Sequence, residues 1–293
     1  MWKQQMLVTK RGVFEVFIKG KGAPLCVTHH YSTFNKSGDY FAEVFTSSYK
    51  VFLINLRGAG HSERMMEPYQ LSMVETIYDL EAIRTACGLS KWGFAGHSTG
   101  GMLGVLYGIH YSQCLSCLIL VGAAAREYAS NSLDCIYHNQ HPSYKKMQQL
   151  LNKITDVTLT AEERGLSKVE RTKLSLFYPS KYHEYFNREI RKDLNRRRLA
   201  FFSREVKIFD VTKQLYRIQT PTFILCGRHD VQCPVNYSIE MAELIPSAHL
   251  KLFEESNHYP FLEEPTLFKQ EVLKFNLQQK TLQLGSQVNE SRR

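Results

Sequence analysis

The chain has 293 residues, of which 43% are hydrophobic and 22% charged, with a formal net charge of +9. That length buries a sizeable core, and that composition excludes wholesale disorder. The opening residues, Met1-Trp2-Lys3-Gln4-Gln5-Met6, lack the apolar run of a secretory signal, and the longest apolar stretch, near 118–125, is too short to span a bilayer.

The seven cysteines are scattered and odd in number. This pattern suits reduced thiols in a cytoplasmic protein better than a disulfide framework. Cys114-x-x-Cys117 has redox or zinc spacing, but no second pair and no thioredoxin-like context accompany it. The positive charge raises nucleic acid or a membrane surface as partners. Its densest run, Arg188 to Arg198, is broken by Glu189, Asp193 and Leu194 and reads as one solvated face of a helix. No zinc-finger, RNA-recognition or helix-turn-helix pattern is present, so neither partner is expected.

In chain order, residues 5–10 and 13–18 alternate around Arg11-Gly12, a hairpin signal. Residues 24–28 form a short apolar run ending in His29-His30-Tyr31-Ser32, and 50–56 a continuous β-branched and aromatic run, as in a strand covered on both faces. The next loop, Arg57-Gly58-Ala59-Gly60-His61-Ser62, starts like a dinucleotide fingerprint, but Glu63 stands where its third glycine belongs. Ser72-Met73-Val74-Glu75 is a capping box, Met73, Ile77, Leu80 and Ile83 follow at helical spacing, and Gly88 fits the C-terminal cap. A buried strand ends at Gly96-His97-Ser98-Thr99-Gly100, followed by a mostly apolar helix from Thr99 to about Tyr111 and a strand at 115–121.

After Ala125 the composition becomes rich in Lys, Arg, Glu, Tyr and His, with no comparably strong strand until Pro221. Residues 223–226 and 249–253 then read as strands, 235–245 and 264–277 as helices, and the remainder as a polar, frayed tail. The alternation predicts a mostly parallel sheet covered by helices on both faces. Core segments are expected at 1–125 and 219–278, a helical lid at 126–218 and a polar tail at 279–293. A lid so placed covers the C-terminal strand edge, where open α/β folds bind ligands.

The G-x-S-x-G stretch is a nucleophile elbow if it joins a strand to a helix. A serine in a strained turn leaves room only for small residues two positions away on either side, and Gly96 and Gly100 supply it. A serine hydroxyl needs a base, and the base a carboxylate to orient it. Beyond the insertion, Gly227-Arg228-His229-Asp230 puts an acid just past one strand, and Glu254-Glu255-Ser256-Asn257-His258 a histidine just past the next. All three residues fall on one edge of the sheet. Glu127 and Asp210 are rival acids; Asp230 leads because a strand and Gly227 set up its loop.

With these motifs the chain resembles the α/β-hydrolase superfamily, in the lidded branch of esterases, prolyl iminopeptidases and cofactor-free haloperoxidases. The resemblance covers about residues 20–275, weakly through the lid. It implies an eight-stranded sheet and a triad of Ser98 as nucleophile, His258 as base and Asp230 as its orienter. It also implies an oxyanion hole from the backbone N–H groups of Thr99 and Tyr31. His30 stands where the family usually has glycine, so it either narrows the site and contacts substrate or packs inertly.

Hydrolysis of a small carboxylic ester through an acyl-enzyme is the first expectation. The elbow and the Thr28-His29-His30-Tyr31-Ser32 loop both depart from the motifs of prolyl iminopeptidases, the second choice. Such a peptidase also needs buried carboxylates facing the free amine, and Glu162, Glu163, Glu184 and Glu189 are the lid acids on offer. A ligand receptor or signalling protein of this fold, with little turnover, stays open. No metal or other cofactor is expected; the partner is a small-molecule substrate, and nothing in the sequence sets an oligomeric state.

Overall fold

The structure, a computed structural model, describes residues 1–290, with side chains described as far as residue 278. The N-terminal alternation forms a hairpin: β1 (Lys3–Thr9) pairs antiparallel with β2 (Gly12–Lys19). Then come β3 (Ala23–Val27), a two-residue β4 (Ser32–Thr33), α1 (Tyr40–Phe45) and β5 (Tyr49–Ile54). Helix α1 has no counterpart in the sequence reading. Six residues are too few for a period to show, and the helix is started by Asp39, whose carboxylate accepts the N–H groups of Phe41 and Ala42.

Helix α2 (Met73–Ala86) starts where its cap predicts, Ser72 Oγ accepting the Glu75 N–H. The reciprocal half of the capping box is absent because the Glu75 carboxylate pairs with Arg11 instead. The elbow strand β6 (Trp92–His97), helix α3 (Thr99–Tyr111) and β7 (Leu115–Val121) follow. The insertion contributes α4 (Tyr144–Thr155), α5 (Ala161–Lys173), α6 (Tyr182–Tyr185), β8 (Asp193–Leu194) and α7 (Arg196–Glu205).

The basic run 188–198 is not the helical face expected of it. Its first part is irregular, with the Ile190 N–H turning back to the Arg188 carbonyl, β8 pairs with β4, and a helix begins only at Arg196 behind the N-cap Asn195. The reason is docking. Arg188 and Arg191 exchange backbone hydrogen bonds with Tyr40 and Ser37, and Lys192 pairs with Asp39 at 2.9 Å, so this segment straps the insertion to the core.

The chain returns to the sheet through β9 (Thr222–Gly227), α8 (Val235–Leu244) and β10 (Ala248–Phe253), then α9 (Pro260–Glu263) and α10 (Pro265–Glu290). Helix α10 therefore continues through most of the stretch expected to be a frayed tail; residues 291–293 lie outside the described residues.

The main sheet has eight strands in the order β1-β2-β5-β3-β6-β7-β9-β10, parallel from β5 to β10. Both faces are covered, so strand side chains divide by parity. In β7, Leu118 and Leu120 join the layer of α2, α3 and α8, whereas Cys117, Ile119 and Val121 join the layer of α1 and α10. Helix α3 is buried from Thr99 through Ile109, and this fixes Ser98 at its N-terminal end.

Candidate active site

Ser98 joins β6 to α3 with φ 55° and ψ −122°, and it is the only non-glycine residue with positive φ among the described residues. Strain of this kind persists only where the surroundings over-determine it. Here the Ser98 N–H is held by the Val121 carbonyl at 2.9 Å, and its own carbonyl receives the Gly101 and Met102 N–H groups. The flanking glycines are sterically required. A Cβ on Gly96 would lie 2.2 Å from the Gly100 oxygen, and one on Gly100 2.4 Å from the Thr28 oxygen.

His258 and Asp230 meet as the sequence pattern expects. His258 Nδ1 lies 2.9 and 3.0 Å from the two Asp230 carboxylate oxygens, and both residues are buried. Asp230 Oδ1 also accepts the backbone N–H groups of Gln232 and Cys233, which hold the acid still. The imidazole is thereby set with Nδ1 protonated and Nε2 free to act as a base. Ser98 and His258 line one cavity. Ser98 Oγ has no hydrogen bond to His258 among the described residues; such contacts are commonly long before substrate binds.

The rival acids are engaged elsewhere. Glu127 accepts from Ser130 and Asn131, and Asp210 from the Thr212 backbone and hydroxyl. His30, expected either to contact substrate or to pack, packs. It is fully buried, absent from the cavity wall, edge-on to Phe202, and its carbonyl and Nδ1 are held by Arg198 of α7. Burial and the Arg198 cation push its imidazole well below the ordinary histidine range.

Its neighbour His29 does line the cavity. One ring nitrogen lies 3.1 Å from Thr99 Oγ1 and the other 3.0 Å from Ser32 Oγ, so His29 ties the elbow to the loop that carries Tyr31. The backbone N–H groups of Thr99 and Tyr31, at a helix start and in a turn, have no hydrogen-bond partner among the described residues.

Several supports were not singled out in the sequence. His97 donates from Nε2 to the His258 carbonyl at 2.7 Å and lies against its ring at 4.5 Å. Gly122, with φ 51°, leaves space that a Cβ would fill at 2.8 Å from Asp230 Oδ2. Glu263 accepts the N–H groups of Asn257 and Tyr259 on either side of His258, and burial pushes its carboxyl up to about 7. Only the glycine that ends β7 carried any signal, as a small residue where a strand stops at the sheet's C-terminal edge.

The insertion completes the cavity, whose volume is about 1120 Å³, just above the usual range of roughly 300–1000 Å³ for small-molecule sites. Leu151, Lys168, Arg171 and Phe202 line it from the insertion; His29, Tyr31, Ser98 and His258 line it from the core. Glu162, Glu163, Glu184 and Glu189 are exposed and absent from its wall. Among the described residues no cluster of three or more histidine, cysteine or acidic side chains is arranged to hold a metal ion. All seven cysteines are free thiols, and no helix among the described residues is long and apolar enough to cross a membrane. A serine at a helix start, an imidazole locked by a buried carboxylate and two free N–H groups are the equipment of acyl transfer.

Comparison with known proteins gives the same architecture. A hydrolase of alpha/beta fold from Bacillus anthracis str. Sterne superposes with a TM-score of 0.91 at 42% identity, covering 94% of this chain and 99% of that one. A protein named proline iminopeptidase PfmaB, from Pestalotiopsis fici, is 28% identical over 84% of this chain and 89% of its own length. A putative carbamate hydrolase, RutD of Pseudomonas savastanoi pv. phaseolicola, is 24% identical over 86% and 93% respectively. The family profile described as alpha/beta hydrolase fold matches residues 30–265. The chain belongs to the alpha/beta hydrolase fold family and is a hydrolase.

Proposed function

We propose that the protein is a serine hydrolase that cleaves a small carboxylic ester, with Ser98, His258 and Asp230 as its triad and the insertion as its lid. The observation that carries this reading is the strained Ser98 facing the same cavity as an imidazole clamped by Asp230. Ser98 Oγ attacks the ester carbonyl while His258 Nε2 takes its proton. The negative charge that develops on the carbonyl oxygen is received by the Thr99 and Tyr31 N–H groups. Collapse breaks the C–O bond, and His258 passes the proton to the departing alcohol. Water then attacks the acyl-enzyme with His258 again as base, releasing the acid and restoring Ser98. Asp230 stays ionised throughout and stabilises the imidazolium.

The peptidase reading rests on the names of relatives, and among the described residues no buried acid on the cavity wall is free to meet a free amine. The four lid acids face outward, and Asp39, which does line the cavity, is committed to capping α1 and to Lys192. A fluorophosphonate probe and a panel of short p-nitrophenyl esters and aminoacyl-arylamides test the proposal on wild type and Ser98→Ala. Labelling and ester turnover that disappear in Ser98→Ala are expected. A folded wild type that the probe does not label sinks the serine-hydrolase reading, and binding without turnover marks a receptor instead.

A further inference from the structure

The cavity wall carries charges that the reaction above does not use; Lys168, Lys192 and Lys207 among them are solvent-exposed, and Arg171 is not. Arg171, on α5 in the insertion, lines the cavity with Ser98 and His258. A guanidinium stays protonated at any ordinary pH. Its Nη2 donates to two neutral oxygens, Tyr137 Oη at 2.8 Å and Gln232 Oε1 at 2.7 Å. Its Nε–H is shielded from solvent and has no partner. Among the described residues no carboxylate lies within ion-pair distance of it, and its hydrogen-bond partners are neutral.

Three acids reach the cavity wall: Asp193, on β8, is solvent-exposed, and the other two are spoken for. Asp39 pairs with Lys192, and Glu127 accepts from Ser130 and Asn131. Enclosing a cation without an anion is costly, so such charges are normally paired or left in water. Arg171 is also held rigidly. Tyr137 Oη donates to Gln232 Oε1, Gln232 Nε2 donates to Ser175 Oγ, and the Gln232 N–H donates to Asp230. The cation is thus built into the same network as the triad acid.

We propose that Arg171 is the specificity residue for a carboxylate carried by the substrate, remote from the ester that Ser98 attacks. The inference rests on the serine-hydrolase reading of this site and narrows it to half-esters of dicarboxylic acids or equivalent anionic acyl substrates. A single carboxylate matches the charge of Arg171, which has no ion-pair partner among the described residues, and its planar oxygens match the guanidinium fork. The unpartnered Nε–H supplies a donor to it.

The test compares mono-p-nitrophenyl esters of dicarboxylic acids from succinate to suberate with the same compounds capped as methyl esters. Wild type is expected to favour the free carboxylate by about 10- to 100-fold in kcat/KM at one or more chain lengths, chiefly through KM, as for a charge-assisted contact. The ratio of free to capped ester falls to about one in Arg171→Met and is partly restored in Arg171→Lys. A wild-type ratio near one at every length overturns the inference, as does a ratio that Arg171→Met leaves unchanged.

A binding arm separates this from the catalytic reading. Glutarate, which has no ester, raises the Tm of wild type and of Ser98→Ala, but not of Arg171→Met. If that pattern appears while no ester is turned over, the Arg171 site stands and the hydrolase reading falls. If esters are turned over without preference for the carboxylate, the Arg171 site falls alone.

Discussion

The backbone N–H of His258 donates to the carbonyl of Ser175 at 3.2 Å, so the insertion holds the main chain of the histidine whose ring Asp230 holds. That histidine is fixed from two sides by segments 83 and 28 residues away in sequence, which the fold alone brings together.

In the proposed mechanism Asp230 is the acid on which His258 depends. Asp230→Asn reverses the tautomer preference and is expected to lower kcat by about 10⁴-fold. Glu127→Gln, which disturbs only contacts to Ser130 and Asn131, is expected to stay within about twofold. Steady-state kinetics on one p-nitrophenyl ester decides, and the reverse order of effects would transfer the acid's role to Glu127.

Gly122 is intolerant of any side chain. A Cβ there meets Asp230 Oδ2 at 2.8 Å and His258 Nδ1 at 3.3 Å, and φ is 51°. Gly122→Ala is expected to cost about 1–3 kcal/mol in stability and to depress kcat. Urea unfolding and the kinetics of the same variant check both, and a variant as stable and as active as wild type would contradict the geometry.

Arg198 is the buried latch between the insertion and the core. It donates to the His30 carbonyl, to the Arg57 carbonyl at 3.0 Å and to Thr76 Oγ1 at 2.7 Å. Arg198→Met leaves those acceptors unpaired and is expected to destabilise the fold by about 3 kcal/mol or more. Arg198→Lys should rescue little, because an ammonium cannot reproduce the planar fork. Thermal and urea unfolding measure the difference; full rescue by lysine would show that charge alone matters.

Acid should weaken the fold. Burial holds His30 and His97 well below the ordinary histidine range, so both are neutral in the folded chain. The unfolded chain binds these protons near pH 6.5, so their contribution is complete above that pH and is lost progressively below it. Glu263 acts in the opposite sense: with its carboxyl at about 7, it keeps a proton that the unfolded chain gives up above about pH 4.5. Burial holds His29 down in the same way and pushes the Glu205 carboxyl up, so three imidazoles outweigh two carboxyls, and Tm should fall from pH 6.5 toward pH 5, less steeply in His30→Asn. A Tm that holds or rises over that interval would refute the assignment.

Most of the main sheet could be read from the chain because its parallel strands are covered on both faces and so appear as unbroken apolar runs. Ser98, Asp230 and His258 could be read because each follows such a run and therefore reaches the same sheet edge. Helix α1 escaped because six residues carry no period. The run 188–198 was misread because its non-helical first part comes from docking onto Ser37, Asp39 and Tyr40, which composition does not encode.

Local pattern by itself determined the elbow, since a serine between Gly96 and Gly100 is a steric requirement confined to a few residues. What surrounds that elbow was decided only by the tertiary structure. His30 turned inward against Arg198, His29 bridged Thr99 to Ser32, and Arg171 stayed in the cavity wall without a carboxylate. Each of these depends on contacts between segments far apart in the chain, and such contacts leave no periodic trace in the sequence.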